Sequence, residues 1–228
     1  TPSIGLDARV CECCDTDMAM TAKGPVVVYR DRGPNEERDI FIVRQNDDGW
    51  SSPVPVSRDR WEFPACPVNG PSIDANRNEV VVAWFTAAGD DGPRVLAARS
   101  GDGGRTFSPP KTVARNAVGR TDVVLLPNGD AVILWLDRRE PGSTSFAPAT
   151  DTRDDLGSIA MRRLGRDGSL GRVQFIDSMS LGRRAGFPRS ALVPGDETSG
   201  RPPSIIVVWR DEATDSLRSE RLPLDAID

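Results

Sequence analysis

The segment VCECCDTD (10–17) places three cysteines, Cys11, Cys13 and Cys14, within four positions, and the chain has one other cysteine, Cys66. Clustered sulfurs have three common uses: a disulfide staple, a site for a soft metal ion such as copper or zinc, and a redox-active thiol. Cys-x-Cys-Cys with one distant cysteine matches neither the paired Cys-x₂-Cys spacing of structural zinc nor a ferredoxin run. The pattern alone therefore leaves all three uses open.

Histidine is absent from the sequence, which removes the commonest general acid–base and the commonest nitrogen ligand for metals. Hydrolases that pair a serine or cysteine nucleophile with a histidine base are therefore excluded within this chain. Met18 and Met20 follow the cysteines. We expect them to fill the core, and thioether contacts to Cu(I) are the alternative.

Composition excludes two classes of partner. The 228 residues carry a net charge of −5, and the basic residues are spread along the chain without a run that suits a phosphate backbone, so nucleic-acid binding is not expected. No apolar stretch approaches the roughly 20 residues needed to cross a bilayer, so no membrane span is expected.

A repeat organises the whole chain. Four β-branched runs each end in an aromatic residue and turn polar: PVVVYRDR (25–32), VVVAWFTA (80–87), AVILWLDRR (131–139) and IIVVWRDE (205–212). Three of them are followed by a second short strand and an acidic, glycine-bearing turn. Four strands in a unit that recurs about every 50 residues predict an all-β fold, an antiparallel β-propeller with four-stranded blades.

We predict a single domain, 1–228, with blades near 10–57, 66–114, 119–176 and 186–228. The polar insertion at 140–157 lengthens the third repeat and is expected to form an extended loop.

The stretch SGDGGRTF (100–107) resembles the Asp-box (BNR repeat) of sialidase-type propellers, Ser-x-Asp-x-Gly-x-Thr-Trp, with a phenylalanine in the last place. The turns NDDGW (46–50) and GRDGS (165–169) resemble degenerate copies. The resemblance implies a structural turn on the outer hairpin of a blade, in which an aspartate binds backbone N–H groups and an aromatic ring packs between strands. Its residues here would be Ser100, Asp102, Gly104, Thr106 and Phe107.

More narrowly, DARVCECCDTDMA, VVVYRDR and CPVNGP together make the chain similar to bacterial secreted sialidase-like proteins. That resemblance implies export to the periplasm or the cell exterior, where thiols are normally oxidised. Aligning the blades brings Cys13 level with Cys66, near the propeller axis. We expect Cys66 to bond with Cys13 or Cys14 and Cys11 to take the remaining partner, while four thiolates around copper or zinc are the alternative.

Sialidases have six blades, whereas this chain has four repeats. Two explanations are open: TPSIGLDA (1–8) supplies the missing last strand and closes a four-bladed ring, or the chain is part of a larger propeller.

Sialidase activity would need a tyrosine nucleophile and three arginines that hold the substrate carboxylate. Tyr29 is the one tyrosine, and it fills the slot of the packing aromatics of the other repeats. Arg30 and the other arginines near strand ends are expected at a solvated rim or in ion pairs with neighbouring aspartates. The Phe/Tyr-Arg-Ile-Pro motif of sialidases is missing. The sequence therefore favours a non-catalytic exported propeller whose loops bind a glycan or a protein ligand; the alternative is a sialidase-type glycoside hydrolase that lacks part of its chain.

Overall fold

A computed structural model describes residues 3–139, 156–182, 186–196, 198–212 and 214–228. Most of the polar insertion at 140–157 lies outside these ranges. The described part of the chain forms sixteen strands and one 3₁₀ turn (Leu224–Ala226), and no helix in it is long and apolar enough to cross a membrane. The strands are β1 (Asp17–Thr21), β2 (Gly24–Arg30), β3 (Ile40–Asn46), β4 (Gly49–Trp50), β5 (Val54–Ser57), β6 (Ser72–Asn76), β7 (Glu79–Thr86), β8 (Arg94–Ser100), β9 (Lys111–Arg115), β10 (Ala117–Leu125), β11 (Ala131–Asp137), β12 (Leu156–Leu164), β13 (Gln174–Ser180), β14 (Arg189–Val193), β15 (Ser204–Asp211) and β16 (Ser216–Pro223).

These strands form four antiparallel sheets in chain order. The first contains β1 to β5, the second β6 to β9, the third β10 to β13 and the fourth β14 to β16. Within the second, third and fourth sheets the order follows the chain, so each of these is a simple meander; in the first sheet β5 pairs with β3.

The second strand of each sheet carries the repeated hydrophobic run, and alternation along it explains why the run is continuous. In β7, Val80, Val82 and Trp84 pack towards the first sheet. Val81 and Ala83, on the other face of the same strand, pack towards the third sheet. A strand that is covered on both faces needs apolar residues at every position, and not at every second one.

Three hydrophobic clusters, one between each pair of successive sheets, hold the sheets face to face. The first strands β1, β6, β10 and β14 lie side by side at the inner edge. This is the blade packing of a propeller, so the predicted all-β antiparallel β-propeller is confirmed.

The face of the first sheet that points away from the second is open. Met18 and Met20 on this face are 61% and 66% exposed, so the expectation that they fill the core is wrong. The reason is the strand period: Ala19 packs towards the second sheet, and its two neighbours therefore point the other way. Residues 3–8 do not pair with β16; Asp7, which lies within them, bonds to Tyr29 of the first sheet.

Candidate functional site

The cysteine cluster lies in the loops that lead into the first and second sheets. The structure pairs Cys11 with Cys14 and Cys13 with Cys66 as disulfides, with Cα–Cα separations of 5.5 and 6.1 Å. Both separations lie in the range that a disulfide spans. Residues 11–14 form a turn, in which the Cys14 N–H donates to the Cys11 carbonyl at 3.4 Å, and the stretch is therefore not extended. The turn brings Cys14 back to Cys11, next to the sulfur of Cys13.

Four equivalent positions, one on each inner strand, carry polar side chains. Each lies opposite the residue that precedes the aromatic residue ending the hydrophobic run of its sheet. These positions are Asp17, Ser72, Asp122 and Arg189. The Asp17 carboxylate accepts hydrogen bonds from the Ser72 hydroxyl at 3.0 Å and from the Ile73 N–H at 2.9 Å. It therefore ties the first sheet to the second.

The same device recurs between the third and fourth sheets. Asp122 accepts hydrogen bonds from the backbone N–H and the hydroxyl of Ser190, both at 2.6 Å, and pairs with Arg189 at 3.1 Å. Burial raises the pKa of Asp122, and the bonds from Ser190 and Arg189 oppose that rise. Arg189 also reaches Asp15 at 3.1 Å, which links the fourth sheet to the loop before β1. These inner-strand acids are occupied in holding sheets together.

Tyr29 is buried, and its hydroxyl is hydrogen-bonded. Its ring is 5% exposed and lies 6.4 Å from that of Phe41, and its hydroxyl donates to Asp7 at 2.5 Å. Burial, followed by the hydrogen bond and the negative charge of Asp7, raises the pKa of Tyr29 well above its usual range. The raised pKa keeps the hydroxyl protonated at neutral pH.

Arg30 was expected at a solvated rim or in an ion pair with an aspartate, and this expectation is wrong. It is 1% exposed, stacks over the Trp61 ring at 5.1 Å and donates to three backbone carbonyls, those of Asn69, Arg38 and Phe85. Burial lowers its pKa to about 10. Carbonyl oxygens of the β2–β3 loop, of the segment before β6 and of β7 converge there, so the guanidinium holds these parts of the chain together as a buried cation. Arg139, by contrast, pairs with Asp137 as expected.

A cleft that the sequence did not predict lies beside the first sheet and has a volume of about 560 Å³. One wall is the β2–β3 loop, and the other is the segment that follows β5. It is lined by Asp31, Gly33, Pro34, Glu37, Asp39, Phe41, Arg58, Arg60 and Glu62. The Arg58 guanidinium lies 5.9 Å from the centre of the partly buried Phe41 ring. The cleft thus combines four carboxylates, two guanidiniums and one aromatic face.

Two carboxyl groups in this cleft have raised pKa values. Burial is the main cause for both Asp31 and Asp39; the nearby charges of Asp7 and Asp59, respectively, add to the rise. Asp39 accepts the Arg60 N–H at 2.7 Å, which opposes it. The dense charge of DRGPNEERD (31–39) was the sequence signal, but a charged loop is usually only a solvated turn.

The segment that resembles an Asp-box forms a tight turn between β8 and β9. Asp102 accepts the N–H groups of Arg105 and Thr106 at 2.9 and 3.0 Å, the Ser100 hydroxyl at 2.7 Å and the Thr106 hydroxyl at 2.7 Å. Burial by itself would raise the pKa of Asp102, but these hydrogen bonds outweigh it and hold that pKa well below its usual range. Phe107 packs against the cluster between the first and second sheets.

Gly104 lets this turn approach the first sheet closely. Its φ is +79°, and an added Cβ would lie 2.8 Å from the Ile42 side chain. Its carbonyl accepts a hydrogen bond from Arg44 at 2.7 Å. Strand pairing places Ser100 opposite Val80 at the end of the second sheet away from the cysteines. The turn is therefore a structural element at the end of the second sheet away from the cysteine cluster.

Two solved structures share the fold. A Hadza microbial sialidase, Hz136, matches 90% of this chain with a TM-score of 0.57 at 16% identity, and a GH43_1 enzyme from Xanthomonas citri matches 95% with a TM-score of 0.56 at 10% identity. The chain spans 43% of the length of the first protein and 71% of the second. No family model and no curated protein matches the sequence. At these identities the likeness establishes the β-propeller fold alone.

Proposed function

We propose that this protein is an exported, disulfide-stapled propeller that binds a glycan in the cleft beside the first sheet, without catalysis by a tyrosine nucleophile. The observation that carries the proposal is the composition of the cleft, which offers carboxylates, guanidiniums and the Phe41 ring in one concave space of about 560 Å³. The size suits a small ligand or the end of a chain of sugars.

Sugar chemistry fits these groups. Sugar hydroxyls donate to carboxylates such as those of Glu37 and Glu62, and they accept from the guanidiniums of Arg58 and Arg60. The apolar C–H face of a sugar packs on an aromatic ring, which Phe41 offers. Both fold neighbours carry names of glycoside-cleaving enzymes, which supports a carbohydrate as the class of ligand.

The test is a glycan-binding screen of the whole chain, followed by calorimetry with the best ligand. Phe41→Ala and Arg58→Ala should each weaken binding at least tenfold. Asp47→Asn, in an exposed turn of the same sheet, is the matched control and should bind like the wild type. Binding that is unchanged in both cleft variants would overturn this location.

Oxidised cysteines are the second part of the proposal, and the two sulfur pairs found in the loops support it. Mass measurement of the denatured protein, with and without reductant and alkylation, should show the loss of four hydrogens. Four free thiols with stoichiometric copper or zinc would instead assign Cys11, Cys13, Cys14 and Cys66 to a metal site.

Glycoside hydrolysis in the same cleft is the second candidate. It is favoured by Asp31 and Asp39, two carboxyl groups whose raised pKa values suit a general acid. Aryl sialosides and aryl arabinofuranosides are the first substrates to try. Turnover that is lost in Asp31→Asn and Asp39→Asn but kept in Tyr29→Phe would establish carboxylate-based hydrolysis.

A further inference from the structure

The cysteine segment holds the first wall of the cleft. Val10 forms a backbone bridge with Asp31, and the Cys11 N–H donates to the Arg30 carbonyl at 2.9 Å. Glu12, between the cysteines, pairs with Arg32 at 3.1 Å. The Cys11–Cys14 turn is therefore fastened along the end of β2 and the start of the β2–β3 loop.

Cys66 ends the segment that forms the second wall. The Arg38 side chain, which belongs to the first wall, donates to the carbonyls of Phe63 at 3.0 Å and Ala65 at 3.2 Å. The Phe63 N–H donates to the Glu36 carbonyl at 3.0 Å. The Cys13–Cys66 bond thus ties the second wall covalently to the cysteine segment, which is itself fastened to the first wall.

The two disulfides are in contact. The Cys11 sulfur lies 3.7 Å from the Cys13 sulfur, although the two belong to different bonds. Cys11 is 5% exposed, whereas Cys14 is half-buried and therefore the more accessible end of its bond. A reductant that attacks Cys14 leaves Cys11 as the departing thiolate, next to the sulfur of the second bond. Thiol–disulfide exchange needs a thiolate to come close to a disulfide sulfur in this way.

We propose that Cys11–Cys14 is a redox relay that passes reduction on to Cys13–Cys66 and so unties the walls of the cleft. A small dithiol attacks the Cys14 sulfur, which forms a mixed disulfide with Cys14 and releases the Cys11 thiolate. The second thiol of the reductant then attacks its own sulfur in the mixed disulfide, so that Cys14 leaves as a thiol and the reductant leaves as a cyclic disulfide. The Cys11 thiolate then attacks the Cys13 sulfur: the Cys11–Cys13 bond forms, the Cys13–Cys66 bond breaks, and Cys66 leaves as a thiolate that takes a proton from water. One dithiol is oxidised, and the free thiols are those of Cys14 and Cys66.

The experiment treats the oxidised protein with one equivalent of dithiothreitol, quenches with acid, alkylates the thiols and locates the labels by fragment-ion mass spectrometry. Labels on Cys14 and Cys66 are expected. Labels on Cys11 and Cys14, with Cys66 still bonded, would overturn the relay.

A matched variant tests the route. In Cys11→Ser/Cys14→Ser, which keeps the Cys13–Cys66 bond, labelling of Cys66 should slow at least tenfold; an unchanged rate would overturn the relay. In the wild type, the rate of hydrogen exchange across residues 58–66 should rise only as Cys66 becomes labelled. An exchange rate that does not change with the labelling of Cys66 would refute the claim that this bond holds the second wall of the cleft. The regulatory meaning rests on the proposed glycan site, but the thiol map needs no ligand. Failure of glycan binding and failure of the relay are therefore separate results.

Discussion

Removal of each disulfide in turn should give very different losses of stability. Cys13→Ser/Cys66→Ser opens a bond with a sequence separation of 53, and Cys11→Ser/Cys14→Ser opens one with a separation of 3. In the chain-entropy treatment of the unfolded state, a cross-link stabilises more as the loop that it closes grows longer. That treatment gives about 4 kcal/mol for the long loop and less than about 2 kcal/mol for the short one.

The assay is urea unfolding of the wild type and both double variants at pH 7, followed by tryptophan fluorescence. With a slope of about 3 kcal/mol per molar, the midpoint should fall by about 1.3 M for the long loop and by about 0.5 M for the short one. Each double variant keeps the other bond and removes two sulfurs, so the two serve as controls for each other. Equal shifts, or a larger shift for Cys11→Ser/Cys14→Ser, would refute the reasoning.

Three further outcomes are expected. Asp102→Ala should lower the free energy of unfolding by about 1–3 kcal/mol at pH 7, because four hydrogen bonds lose their acceptor. The pKa of Asp102 is lowered in the fold, so the wild type should have the higher urea midpoint at neutral pH and should lose this difference as the pH falls below about 4. Arg30→Ala should lower the free energy of unfolding by about 3 kcal/mol or more, because three carbonyls are left without a donor. The control is Arg172→Ala, whose side chain is 85% exposed; its free energy of unfolding should stay within about 0.5 kcal/mol of the wild type in the same assay. Tyr29→Phe should cost about 1 kcal/mol in thermal unfolding and leave glycan affinity unchanged, and a large loss of affinity would contradict its packing role.

The repeated hydrophobic runs carried the prediction of the fold. Val80 to Trp84 is apolar without a break because neighbouring sheets cover both faces of β7, and the same is true of Ala131 to Leu136 in β11. The Asp102 turn was predictable for a similar reason, since its hydrogen bonds join residues within the same short stretch.

The candidate site was less predictable because its parts are distant in sequence. Nothing in the residues around Asp31 indicates that the segment with Arg58 and Arg60 faces them across a cleft. The carbonyls that accept hydrogen bonds from Arg30 come from the β2–β3 loop, the segment before β6 and strand β7, which are far apart in sequence. An arginine beside an aspartate in the sequence therefore suggested a simple ion pair. The sequence left two pairings of the cysteines open, because extended geometry and a tight turn are both available to VCECC, and the observed pairing is one of the two.

The placement of the cysteines follows from the kind of surface that the cleft requires. Successive sheets are held by apolar clusters, but the cleft walls are charged and cannot be held together by burying more hydrocarbon without losing their polar lining. A small cluster joins Trp61, which belongs to the second wall, to Phe85 of β7. The walls are held by Arg30 and Arg38 on backbone carbonyls, and by the Cys13–Cys66 bond, which adds stability through the unfolded state and occupies no part of the cleft. A disulfide can be broken by reduction, whereas a hydrophobic cluster cannot. For this reason the Cys13–Cys66 bond is where redox conditions would act on the proposed glycan binding.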